Sequence, residues 1–440
     1  MTKEKLVVSI KFSSAIAKKI IASLVVLNLF VLAGYLVFII YYRTYLSGDW
    51  GTGGIAKHFL VHFHLATENV LAVWYSSMLL LFASVTCILC LLVDSQDRKS
   101  VRQGYLRYGW LLCAAIFALL SLDEIGSLHE RIGMLAVLNP YADNGLGWVK
   151  ALALPIGIVT LFMVAFSWLH LRRSPWTFYL MILGVVLFIV NPLFEVVEMA
   201  MLEANSGRVN LRLEILMLLE ESAEIFGSLS FVSAALTYLV FILNLKGESK
   251  TGPQSQITFS INLQHALIFV SMSMLVLGLI MLGIEFVVSH TQKGDTGIPI
   301  NWFPAALGFL AALVSLTIWS TVESEKRSVR LLYILLAIYC LFLSAYYGAN
   351  LKAWLYMPNY SGLFRPSVIG VGLVLLAFVF GIILFQQVKL WWGRLGAIAW
   401  PVLLGSAFLF GKVYAVGPMD FLAFAVLLVS LLSHLYRWQR

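Results

Sequence analysis

Apolar runs of roughly twenty residues follow one another along nearly the whole 440-residue chain. A helix of that length covers a hydrocarbon core of about 30 Å at about 1.5 Å per residue. Charged residues occupy only 12% of positions against 61% hydrophobic, and mean hydropathy is +0.90. A globular chain facing water carries about a quarter charged residues, so most of this surface belongs in lipid. Transmembrane strands would show short alternating segments instead. The expected fold class is therefore all-α, a polytopic membrane helical bundle.

The runs predict twelve spans, near 20–42, 67–93, 108–133, 150–171, 176–201, 214–244, 262–288, 302–322, 330–349, 366–387, 395–413 and 418–436. The segment 246–261 (KGESKTGPQSQITFSI) is the one stretch with linker composition. It divides the chain into a six-span bundle (1–245), a cytoplasmic linker (246–261) and a second, more apolar six-span bundle (262–440). No internal repeat relates the halves. Most of the 30 Lys and Arg residues fall at the N-terminus, in the even-numbered connections and at the C-terminus. That asymmetry marks the cytoplasmic side and puts both termini there. It also accounts for the basic excess without nucleic acid. Cys87, Cys90, Cys113 and Cys340 fall inside spans with no charged neighbour in sequence, and read as apolar packing.

The acids are distributed unusually. Glu68, Asp123, Glu124, Glu130, Glu195, Glu198, Glu220, Glu221 and Glu224 lie within spans 2, 3, 5 and 6. Counting residues from the span ends puts them in the outer half of the membrane. Asp123, Ser127 and Glu130 are spaced i, i+4, i+7, as are Asn191, Glu195 and Glu198, so each set is expected to share a helical stripe. An unpaired ionised side chain at mid-bilayer costs about 3 kcal/mol even on the gentler scale. The polar faces should therefore meet, with their carboxyls protonated, paired, solvated or metal-bound. Basic partners nearby are few: His129, Arg131, Arg208 and Arg212, with His58, His62 and His64 in the first outer loop. Glu203 and Glu214 read as interfacial acids in water, and His170, His265 and His434 as span-end residues without a special role.

Two segments carry a resemblance. Glu68-Asn69 is followed by Trp74-Tyr75-Ser76-Ser77, and Ser121-Leu122-Asp123-Glu124 by Leu128-His129-Glu130. The chain resembles a family of uncharacterised bacterial multi-pass membrane proteins that pairs such E-N-x-x-x-W-[FY]-S-S and S-L-D-E-x-x-x-L-H-E stretches, over roughly residues 60–230. The resemblance implies a bacterial inner-membrane location and brings no activity with it. The His-Glu-x-x-His motif of zinc proteases is absent, as is an intramembrane His-x-x-x-His pair.

The residues thus point to a cation-binding site among spans 2, 3, 5 and 6. Asp123, His129, Glu130, Glu195, Glu198, Glu221 and Glu224 are the candidate ligands. Oxygen-rich ligation with one imidazole suits a divalent metal cation or protons better than a soft metal. In an enzyme, Asp123, Glu124, His129 and Glu130 would be catalytic, moving protons as a metal-activated water attacks a lipid-borne substrate. In a transporter the same carboxyls would exchange protons or cations; a non-catalytic membrane scaffold is the third alternative. Glu68, and Lys352 with Arg365 in the outer loop after span 9, are the candidate contacts to membrane lipid or to a small anionic substrate. Reporter fusions after Arg107, Arg173, Lys250, Lys326 and Arg394 should read cytoplasmic, and those after Asp143, Asp295 and Asn359 external. An external signal after Lys250 would break the six-plus-six arrangement.

Overall fold

The structure, a computed structural model, describes residues 5–41, 60–64, 70–94, 105–129, 147–205, 210–247, 256–262, 298–321, 327–349, 351, 366–388, 391–410 and 417–437. These residues hold eleven helices of eighteen residues or more: α1 (Ser14–Tyr41), α2 (Leu71–Asp94), α3 (Gly109–Gly126), α4 (Gly147–His170), α5 (Pro175–Ala204), α6 (Leu211–Gly247), α7 (Ile298–Thr321), α8 (Arg327–Gly348), α9 (Pro366–Gln387), α10 (Trp391–Phe410) and α11 (Gly417–Arg437). Eight of the helices are long and apolar enough to cross a membrane. The chain is a helical membrane bundle. The eleven helices overlap eleven of the expected spans. The expected span near 262–288 lies outside the described residues from position 263 onward.

Three differences from the sequence expectation have local causes. Helix α1 begins at Ser14, before the Lys18-Lys19 pair, because the Ser13 hydroxyl accepts the Ile16 N–H at 3.3 Å and caps the first turn. Helix α3 ends at Gly126, where Ser127 turns left-handed (φ 45°) and its N–H closes on the Asp123 carbonyl at 2.6 Å. The expected Asp123–Ser127–Glu130 stripe is therefore broken after one turn. The third difference is a two-stranded sheet of β1 (Lys5–Lys11) and β2 (Gln256–Asn262). It converts the end of the expected linker into strand. Ile257, Phe259 and Ile261 alternate there with Thr258 and Ser260, a period of two that suits a strand.

Two compact units result, residues 11–257 and residues 258–440 with the N-terminal strand. In the first, α6 is the central helix. Its most apolar window is 78% buried against 17% in α4 and in α5, and it packs on α5, α2 and α1. Helices α2 and α3 run antiparallel, fastened where Ser77 donates to the Ser121 carbonyl (2.6 Å) and Ser84 to the Ala114 carbonyl (2.7 Å). Asn28, fully buried on α1, donates to the Ile225 carbonyl of α6 (3.3 Å) and accepts from the Tyr75 hydroxyl of α2 (2.6 Å). Serine and asparagine are small enough to let helices approach while satisfying backbone carbonyls that lipid cannot. The outward faces of α4 and α5 are apolar, with Leu154 and Leu161 more than 70% exposed. Such faces fit hydrocarbon rather than water.

In the second unit, α7 packs on α8 and α11, and α10 lies between α11 and α9. Tyr339 of α8 donates to the Leu373 carbonyl of α9 at 2.8 Å. Tyr347 donates to Asp420, a buried carboxylate in the first turn of α11, at 2.7 Å. Lys352 and Arg365, the expected anion contacts, lie outside the described residues.

Candidate functional site

The carboxyls of α3, α5 and α6 gather at one end of the first unit. Their placement follows from the order of the helices. Helix α6 sits between α2 and α5, and its Glu214, Glu220, Glu221 and Glu224 fall within an arc of about 120°. Helix α3 approaches that face with Glu124, and helix α5 with Asn191, Glu195 and Glu198. Glu124 lies against Glu224, Glu221 and the Ser76 hydroxyl. Asn191 Nδ2 donates to Glu224 Oε2 at 3.2 Å. Glu221 neighbours Glu224 and Glu198, and the Glu198 carboxyl meets that of Glu220. The result is a continuous string of carboxyls contributed by three helices.

The left-handed turn at Ser127 builds the rim of this string. By reversing the chain just past α3, it returns His129 to Asp123. The His129 backbone N–H donates to Asp123 Oδ1 at 2.8 Å, and Nδ1 meets Oδ2 at 2.9 Å. The imidazole also packs edge-on against Trp148 of α4, with ring centroids 4.8 Å apart. The Trp148 indole N–H donates to Glu195 at 2.6 Å. Asp123, His129, Trp148 and Glu195 thus form a relay across α3, α4 and α5.

One expectation changes here. Glu214, read as an interfacial acid in water, is 6% exposed and accepts a hydrogen bond from Tyr35 of α1 at 3.3 Å. The sequence gives little warning, since the partner lies 179 residues away. Trp148 reads from sequence only as an interfacial aromatic, and Tyr35 and Asn28 as ordinary residues of an apolar run, until the fold brings their polar atoms to a carboxyl or carbonyl. Of the expected site residues, Asp123, Glu124, His129, Glu195, Glu198, Glu221 and Glu224 are all brought to this end of the unit. Glu68 and Glu130 lie outside the described residues, as do Arg131 and Arg208.

Chemically, the string differs from a metal cage. Among the described residues no three His, Cys, Asp or Glu side chains converge as ligands of one ion. Asp123 is occupied by two bonds to His129. Among the described residues, no Lys or Arg forms an ion pair with Glu124, Glu195, Glu198, Glu220, Glu221 or Glu224; the two ion pairs there are His129–Asp123 and His170–Asp94. The cysteines are free and buried, with Cys90 Sγ bonded to the Ala235 carbonyl.

Residues 24–239, spanning α1 to most of α6 and so every helix that builds the site, match the family profile described as "Domain of unknown function (DUF8692)". No curated protein and no solved structure matches the chain.

The loop between α1 and α2 lends the site a pH dependence. His64 packs edge-on against Tyr35 and Phe38, at 5.3 and 4.8 Å between ring centroids, and burial pushes its pKa down to about 4. His62 shifts the same way for the same reason. A histidine held neutral stabilises the fold fully above its unfolded pKa of about 6.5, and that stabilisation is lost as pH falls toward the folded value. For His64 the loss reaches about 3 kcal/mol. The thermal midpoint of the wild type should fall over that pH interval more steeply than that of His64→Phe; parallel curves would show that His64 does not titrate on unfolding.

Proposed function

We propose that this chain is a twelve-span protein of the bacterial inner membrane with both termini cytoplasmic, and that its first unit is a proton-exchanging core of a proton-coupled transporter. One observation carries the reading: six carboxyls from three helices are packed together, with no lysine or arginine partner among the described residues. Adjacent carboxyls in a low-dielectric setting cannot all be ionised, so neighbours share protons and titrate as a group. Such a string binds and passes protons with little rearrangement. Metal-dependent chemistry on a lipid-borne substrate needs three or more converging ligands, and the described residues supply none.

The surroundings support the reading. Six helices run between β1 and β2, and paired strands lie on one side of a membrane, which agrees with an even number of crossings in between. Pro192 interrupts the α5 backbone ladder one residue after Asn191 and three before Glu195. A proline there removes a backbone hydrogen bond and lets a helix bend, so movement of α5 would change how Glu195 and Glu198 face α6. His129 and Trp148 would then sense the change, since Trp148 holds Glu195.

In membranes adsorbed on a solid support, an acidic pH jump should displace charge in the wild type as protons bind. Most of that signal should vanish in the double variant Glu124→Gln, Glu224→Gln, while a chelator leaves it intact. A signal of wild-type size in the double variant, or one abolished by chelation, would overturn the proposal.

A further inference from the structure

Among the described residues the first unit holds a second polar cluster besides the carboxyl string. At the other end of the same helices, Asp94 ends α2, His170 ends α4, and Tyr238 lies fourteen residues beyond Glu224 on α6. His170 Nε2 is 2.9 Å from Asp94 Oδ2 and 2.8 Å from the Tyr238 hydroxyl, which is itself 3.3 Å from Asp94 Oδ2. Three polar atoms from three helices close a triangle on one imidazole nitrogen. Trp110 of α3 packs at a tilt on Tyr238 at 4.8 Å and meets His170 edge-on, while Phe166 stacks on the imidazole at 5.3 Å. The Trp110 side chain is fully buried. Among the described residues, the other titratable neighbour of Tyr238 is Cys90, whose thiol is already spent on a backbone carbonyl. Arg172 and Arg173 follow His170 in a short 3-10 turn at the helix end.

Between the two sites lies an aromatic layer. Phe117 of α3 and Phe188 of α5 both pack on Phe231 of α6, at 4.6 and 5.4 Å between ring centroids. Phe117 and Phe231 are buried. A side chain at Gly227 would collide with Phe188, and one at Gly184 with Phe231, so both glycines are what admit the rings. The layers follow an antiparallel register in steps of seven residues: Glu124 meets Glu224, Phe117 meets Phe231, and Trp110 meets Tyr238. Fourteen residues of helix separate the outer two layers by about 21 Å, most of a hydrocarbon core.

We propose that Asp94, His170 and Tyr238 form a second proton-exchange site serving the opposite membrane face, and that the Phe117–Phe188–Phe231 layer is the barrier between it and the carboxyl string. The proposal rests on the proton-exchange reading above. Nε2 can hold a proton toward the Asp94 carboxylate with the Tyr238 oxygen as a second acceptor. When that proton leaves and Nδ1 keeps its own, the bare Nε2 accepts from the Tyr238 hydroxyl instead. The triangle therefore gains and loses one proton without changing its packing. Apolar constrictions of this kind block water and protons until they widen.

The test uses full-length protein in liposomes of neutral lipid, with an internal pH dye and a potassium diffusion potential driving protons inward. Phe231→Ala should raise passive proton flux several-fold over wild type, as should Phe188→Ala, a milder change at a half-buried ring. Adding His170→Ala with Asp94→Asn to either should return the flux to the wild-type level. Both phenylalanine variants as tight as wild type, with normal solubility and thermal midpoint, would overturn the barrier. A leak indifferent to His170→Ala with Asp94→Asn would overturn the second site. A leak that needs His170 and Asp94 but persists in Glu124→Gln, Glu224→Gln would uphold the present proposal while refuting the carboxyl string as proton carrier.

Discussion

Packing carboxyls against one another with no lysine or arginine partner among the described residues is the constraint on which the rest of this unit depends. A carboxylate transferred alone into a low-dielectric interior loses several kcal/mol of hydration, and six of them repel one another as well. The fold meets the demand with neutral donors. Asn191 binds Glu224, the Trp148 indole binds Glu195, and the Tyr35 phenol binds Glu214. Each donor stabilises a carboxyl in either protonation state, whereas an arginine would lock it ionised. Neutral partners keep the string titratable. A structural ion-pair network, by contrast, holds its carboxylates ionised.

The same choice explains the helix order. Helix α6 carries the most acids of the described helices and is the most enclosed. Helices α4 and α5 show lipid their leucines and aromatics, and reach inward with only a few polar atoms. Serines at the α2–α3 contact keep those two helices close and place Ser76 beside Glu124. Asn28 then ties α1 to both α2 and α6. Close packing and polar satisfaction are supplied by the same small residues, and no part of the acidic string relies on a long flexible side chain for its position.

Much of this was legible in the sequence, and the reasons for the rest are specific. Apolar runs located the helices, since length and hydropathy are local properties. The acids of α3, α5 and α6 announced a shared site, because lipid forbids the alternative. The break at Ser127 was not legible: serine rarely turns left-handed, and only the bonds of His129 to Asp123 make that conformation worthwhile. His170 read as a span-end residue because Asp94 and Tyr238 are 76 and 68 residues away. The strands were missed because seven-residue alternating segments are short beside spans of twenty. Residue spacing reports which groups share one helix, but pairings between helices depend on registers that it does not encode.

The central claim is that the carboxyl string holds protons in the resting protein. Infrared spectroscopy reads this directly, because a protonated carboxyl has a C=O stretch distinct from that of a carboxylate. Purified protein in lipid nanodiscs at neutral pH should show that protonated band. It should shift in deuterated water, and it should shrink in Glu124→Gln and again when Glu224→Gln is added. A spectrum without the protonated band at neutral pH, or a band unchanged in the double variant, would contradict the account.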